Sequence, residues 1–116
     1  MAALLFVYGT LKRGQANHHL LTGQQFLGEA VTLPHYRLFN KGAHPCLVKV
    51  EQGGVAIHGE LWAVDQETLT RLDAFEDTPY GFVRAPIEIL GRHDCVEAYF
   101  YAGDTRELAP AADRWP

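Results

Sequence analysis

The sequence predicts an α+β domain in which several short strands form a curled sheet or partly closed barrel around one clear helix. Three observations carry this expectation. Runs of strand length, apolar or alternating, follow one another along most of the chain, and strands in such a series pack as a curled or closed sheet. The pattern shifts to a helical period only once, after Asp65. The length of 116 residues, with 47% apolar and 21% charged residues, suits one packed core and leaves no room for a second domain.

The elements follow in order. Leu4 to Tyr8 is a continuous apolar run ending at Gly9, the pattern of a strand covered on both faces. "QANHHLLTG" reads as a short helical turn closed by Gly23, and "QFLGEAVTL" as a strand interrupted at Gly28 and stopped by Pro34. "YRLFN" and "CLVKV" alternate in polarity on either side of "KGAHP" and predict two half-exposed strands joined by a loop. After the turn "EQGG", "VAIHGELWAV" is a further strand. Asp65 is a good N-cap, and Glu67 occupies the first turn, where the helix dipole favours a negative charge. "QETLTRLDAFE" then places Leu69, Leu72 and Phe75 on an apolar side and pairs Glu67 with Arg71 on the outer one, before Pro79 ends the helix. "FVRAPIEIL" and "CVEAYFYAG" complete the strands across "GRHD". The domain is expected to span 1–103, with 104–116 a polar, Pro-containing tail that lies on the surface or frays.

Composition narrows the function. A net charge of −4 without a long run of either sign speaks against a nucleic-acid surface and a polybasic membrane anchor, and leaves a small molecule as the expected partner. Cys46 and Cys95 read as reduced thiols, although spacing alone leaves a bridge open. "MAALLFVY" lacks a preceding basic region and a cleavage site, so it reads as a strand in a cytoplasmic protein.

Glu76 is the most informative charged residue. It lies seven positions after Leu69 and four after Leu72, so a helix continued that far points its carboxylate inward. Desolvation and the negative end of the helix dipole would both raise its pKa toward the range of a useful base; a frayed last turn would leave it in water. Gly9 and Gly14 have the spacing of a phosphate-binding loop, but Gln15 and Ala16 stand where that motif requires Lys and Ser or Thr. What survives is a turn whose N–H groups at Thr10 and Leu11 would line an anion-binding concavity, or else a turn and nothing more. The six histidines show no zinc-ligand spacing, so no metal site is expected. A Cys46 thiol with His44 as its base lacks an orienting third group, and a buried structural cysteine is the simpler reading. Trp62, Tyr99 and Tyr101 read as core aromatics with one polar edge, and a Tyr hydroxyl at a pocket wall would also suit substrate binding.

Together, "VYGTLKRG", "GAHPCLV", "HGELWAV", "LDAFEDTPYGFVR" and "VEAYFYAG", in this order, resemble the gamma-glutamylcyclotransferase-like family, especially its short members akin to gamma-glutamylaminecyclotransferase. The match runs from about Leu5 to Tyr101. It implies a compact mixed, barrel-like sheet with one main helix and short flanking helices. It also implies a cofactor-free reaction in which a gamma-glutamyl compound cyclises to 5-oxoproline and releases an amine. By position, Tyr8, Gly9, Thr10 and Leu11 fall on the family's substrate-binding loop, Glu76 on its catalytic glutamate and, more loosely, Tyr101 on a tyrosine near its pocket. Phe82 stands where a Tyr is usual and His44 where an aromatic usually precedes the Pro, departures that bear on substrate choice. On this reading the loop N–H groups grip substrate oxygens and Glu76 takes the α-amine proton, while Lys12 and Arg13 read as solvated loop cations, with electrostatic attraction of an anionic substrate as the alternative use. A non-catalytic module binding a small metabolite in the same pocket, and more weakly a Cys46 thiol hydrolase, are the rival readings. The leaving amine and the oligomeric state are not legible.

Overall fold

The computed structural model describes residues 2–76 and 81–116. Its strands are β1 (Ala3–Val7), β2 (Gln25–Val31), β3 (Tyr36–Asn40), β4 (Pro45–Lys49), β5 (His58–Val64), β6 (Phe82–Pro86), β7 (Val96–Tyr101) and β8 (Ala109–Pro110). A 3-10 turn occupies His18–Leu21, and the helix α1 spans Gln66–Phe75. The expected α+β class and the single main helix are both present.

The apolar N-terminal run becomes the middle of a five-stranded sheet ordered β2-β5-β1-β7-β6. β1 pairs antiparallel with β5, Leu5 opposite Trp62, and parallel with β7, Leu5 opposite Glu97. The sheet is therefore mixed. Leu5 and Val7 face one core with Trp62, Val64, Leu69 and Leu72, whereas Phe6 and Tyr8 face a second with Tyr36, Leu38, Leu47 and Ile57. This two-sided burial is the reason the run carries no polar alternation.

The three-stranded sheet β4-β3-β8 contributes Leu38 and Leu47 to the second core. The outer edges of the larger sheet also meet. Thr32 bridges Ile89, the Leu33 N–H donates to the Glu88 carbonyl at 3.0 Å, and the Leu90 N–H donates to the Val31 carbonyl at 2.9 Å. The sheet thus closes on itself, and the expected barrel-like form follows. Closure is helped at Gly28, where the β2–β5 register shifts and φ is 135°, a bulge only glycine adopts without strain.

α1 starts where expected: the Asp65 carboxylate accepts the Thr68 N–H at 2.8 Å, and Arg71 donates to Glu67 at 2.9 Å. Leu69 and Leu72 are buried, but Phe75 is 47% exposed, contrary to its expected place on the apolar side. The helix ends at that residue, and its ring lines an open cavity rather than the closed core. Pro79, read from sequence as the stop of the helix, lies outside the described residues. No helix among the described residues is long and apolar enough to cross a membrane.

The segment from Asp104 lies on the surface but does not fray. β8 pairs with β3, Asn40 opposite Ala109, and the His58 N–H donates to the Asp113 carbonyl at 2.9 Å. Lys12 Nζ donates to the Trp115 carbonyl at 2.5 Å and Gln15 Nε2 to the Pro116 carbonyl at 2.7 Å. The tail lies as a strap over the turn that follows β1.

Candidate active site

A cavity of 370 Å³ opens where β1 runs out, within the size range of small-ligand sites. Its floor and one side come from Tyr8, Gly9, Thr10 and Leu11, its far side from Lys41 and His44 of the β3–β4 loop and Pro45 at the start of β4, and its third side from Phe75, Glu76 and Phe82. The segments are distant in sequence and meet because β1 is central, with α1 packed on one face of its sheet and the β3–β4 hairpin beside its end.

Glu76 caps the C-terminus of α1. Its N–H donates to the Leu72 carbonyl at 2.8 Å, and its carbonyl accepts the Phe82 N–H at 3.2 Å, so the backbone is pinned on both sides of the residue. The side chain lines the cavity, and no described residue donates a hydrogen bond to it. Burial without compensating donors lifts its carboxyl to about 7, because a desolvated carboxylate disfavours the charged form.

The turn after β1 is shaped by close approach. A Cβ at Gly9 would lie 2.7 Å from Pro45 Cγ and 2.9 Å from Cδ, so the glycine admits the proline ring of β4 rather than an unusual backbone angle. Beyond it, the Lys12 N–H closes on the Gly9 carbonyl at 3.1 Å. Asn17 binds Thr10 twice, backbone to backbone at 2.9 Å and from Nδ2 to the Thr10 hydroxyl at 3.0 Å. Among the described residues, nothing accepts the N–H groups of Gly9, Thr10 and Leu11, and all three residues line the cavity. Such a row of unpartnered donors is a ready site for substrate oxygens.

Tyrosines brace the wall. The Tyr8 hydroxyl donates to the Tyr99 carbonyl at 2.5 Å, and burial, reinforced by Glu76 and Cys46, keeps it protonated well above the usual tyrosine range. The Tyr99 hydroxyl donates to Asp73 at 2.6 Å. Arg84 grips the same carboxylate through Nε at 2.9 Å and Nη2 at 3.1 Å, and reaches Glu97 at 2.7 Å. Burial works against ionisation of Asp73, but its bonds from Arg84 and Tyr99 prevail and hold its carboxyl below the usual range. The network ties the last turn of α1, three residues before Glu76, to β6 and β7.

The structure brings Glu76 together with Tyr8, Gly9, Thr10 and Leu11, and does not place Tyr101 with them. Tyr101 stands behind the wall, its ring 5.6 Å from that of Phe82, and Tyr99 takes the lining position. The two tyrosines share one strand face at a spacing of two, and Tyr99 lies deeper. Lys12 and Arg13 do not line the cavity; Arg13 is exposed to solvent, as expected of a loop cation, but both side chains also have protein partners. Lys12 is held by the strap, while Arg13 pairs with Glu60 at 3.1 Å and lies 3.8 Å from the Phe26 ring centre. Cys46 is fully buried in the first core, and burial pushes its thiol up, which removes it as a nucleophile. Both cysteines are free. Asn17 and Lys41 went unremarked in the sequence, and Pro45 was noted only as the residue after His44; its contact with Gly9 had a signal only in the paired motifs "YGTL" and "HPC".

Residues 5–116 match the family described as gamma-glutamyl cyclotransferase, AIG2-like. Gamma-glutamylaminecyclotransferase A of Danio rerio is 39% identical over 111 residues, covering 87% of this chain and 69% of the relative. Gamma-glutamylaminecyclotransferase of Rattus norvegicus is 33% identical over 118 residues, covering 89% and 79%. The crystal structure of an AIG2-like protein from Mus musculus superposes with a TM-score of 0.88 at 28% identity, covering 99% of this chain and 88% of that one. The shared barrel, the end-of-strand cavity and these likenesses converge: the chain belongs to the AIG2-like gamma-glutamyl cyclotransferase family.

Proposed function

We propose that this chain cyclises a gamma-glutamyl amine or gamma-glutamyl amino acid to 5-oxoproline and releases the amine, with Glu76 as the general acid and base. The observation that carries this reading is the meeting, in one cavity, of a desolvated carboxyl near neutrality and a row of unpartnered N–H groups.

The α-amine of the substrate attacks its own γ-carbonyl carbon, so the enzyme has only to hold the reactive rotamer. Tyr8, Gly9, Thr10 and Leu11 form the mould: the main-chain N–H groups of the last three bind substrate oxygens and stabilise the negative charge that develops on the carbonyl oxygen. An α-amine of pKa about 8 is largely protonated at neutral pH. The Glu76 carboxylate takes one proton from the ammonium, the new C–N bond closes the ring, the carboxyl gives that proton to the leaving nitrogen as the old C–N bond breaks, and the surplus proton on the new ring nitrogen passes through the regenerated carboxylate to the released amine. One acid/base group therefore serves both steps. Tyr101 backs Phe82 at one remove from the substrate. Two free thiols fit a cytoplasmic site of action.

The test is a panel of gamma-glutamyl compounds assayed for 5-oxoproline. Release of the ring product, lost in Glu76→Gln, supports the reading. Tight binding with no product from any compound replaces it with a metabolite-binding module.

A further inference from the structure

The β3–β4 loop contributes a positive charge to the cavity that the cyclisation chemistry does not use. Lys41 lines the cavity with His44, and no carboxylate among the described residues pairs with it. The ammonium is nonetheless positioned. Its Nζ lies 4.8 Å from the centre of the Tyr101 ring, which packs tilted against Phe82 at 5.6 Å, and Phe82 in turn lies 6.1 Å from His44. The loop is tightened by the Lys41 N–H on the His44 carbonyl at 3.1 Å and by Gly42 at a φ of 87°, whose N–H reaches the Asn40 side chain at 2.9 Å. The effect is electrostatic as well as geometric: His44 is held below its usual range by burial and by the Lys41 charge.

The glutamyl half of a substrate is spoken for, its α-amine by Glu76 and its oxygens by the turn after β1. An oxoproline-sized ring leaves much of 370 Å³ unfilled, and the lining away from the turn after β1 includes the rings of Phe75 and Phe82, the His44 imidazole and the Lys41 ammonium. That surface accepts an apolar side chain beside a negative charge and repels a second cation. Resting on the cyclisation reading, we infer that Lys41 is a specificity residue for the leaving amine, and that the preferred leaving amine carries a carboxylate, as an amino acid does, rather than the distal ammonium of a diamine.

The experiment compares gamma-glutamyl-alanine, gamma-glutamyl-ethylamine, which lacks only the carboxylate, and gamma-glutamyl-1,5-diaminopentane. The wild-type protein should favour the alanine compound over the ethylamine compound by about fivefold in kcat/KM, the scale of one solvent-accessible ion pair, and the preference should shrink in high salt. Lys41→Gln should bring the ratio to about one, and Lys41→Glu should turn it toward the diamine. A wild-type ratio of one, or a ratio unmoved by either substitution, overturns the inference while cyclisation stands. Equal losses for all three compounds also overturn it, since Lys41 would then be acting on the shared glutamyl carboxylate. If none is turned over, the cyclisation reading fails instead, and calorimetric Kd values of the three compounds for the Glu76→Gln protein decide the Lys41 preference by the same ratios.

Discussion

Replacing Glu76 by Gln should make the protein slower and sturdier at once, and the two effects share a cause. The carboxyl titrates near 7 because it is desolvated, so about half is ionised at neutral pH. Removing a general base costs about 10²–10⁴ in turnover. In wild type, kcat/KM should rise with pH through about 7 as the base form appears, and the Gln variant should lose that limb. The stability effect has the opposite sign. A carboxyl whose folded pKa lies above its unfolded value is fully tolerated below the unfolded pKa, near 4.5, and costs progressively more as pH climbs to about 7. At about 1.4 kcal/mol per unit of pKa the gap amounts to at most about 3 kcal/mol, and about 2 kcal/mol once the remaining exposure of the side chain is allowed for. Urea unfolding of both proteins at pH 4.5, 6 and 8 should show equal stability at the lowest pH and a growing advantage for Gln above it. A stability difference that stays flat across that range would refute the desolvated carboxyl, and wild-type turnover in the variant would refute its role as base.

Other perturbations have equally definite outcomes. Gly9→Ala should cost about 1–3 kcal/mol by driving a Cβ into Pro45 and raise KM; adding Pro45→Ala should recover part of both in melting and kinetic assays. Asn17→Ala removes the side-chain bond to Thr10 and should raise KM severalfold while leaving the pH profile in place. Tyr99→Phe deletes the hydroxyl bond to Asp73 and should lower stability by about 1 kcal/mol in denaturant titration. Leu72→Ala empties a fully packed position under α1 and should cost about 2–5 kcal/mol, read as a drop in the unfolding midpoint.

Much of this site was legible because its key residues announce themselves locally. The polar cap at Asp65 and the intervals from Leu69 and Leu72 to Glu76 set the phase of one short helix, and that phase turns Glu76 inward. The apolar run before Gly9 likewise forecast a strand covered on both sides. What remained hidden depends on partners distant in sequence. Gly9 looks like an ordinary turn residue until the β3–β4 hairpin delivers Pro45 against it. Tyr99 and Tyr101 are equivalent in alternation, and only depth along β7 separates the one at the cavity from the one behind it. The strap escaped notice for a different reason: its backbone bonds to β3, Lys12 and Gln15 leave no side-chain signature.

The order of strands has a temporal consequence. β1 is paired in the finished protein with strands at residues 58–64 and 96–101, so during synthesis one of its sticky flanks stays without its lasting neighbour until about ninety further residues have left the ribosome. Assembly dominated by such remote pairings is slow, and the unfinished chain is most vulnerable to clumping in that interval. Mutations that weaken β7 should therefore depress the yield of soluble protein more than their effect on the purified, folded molecule would suggest.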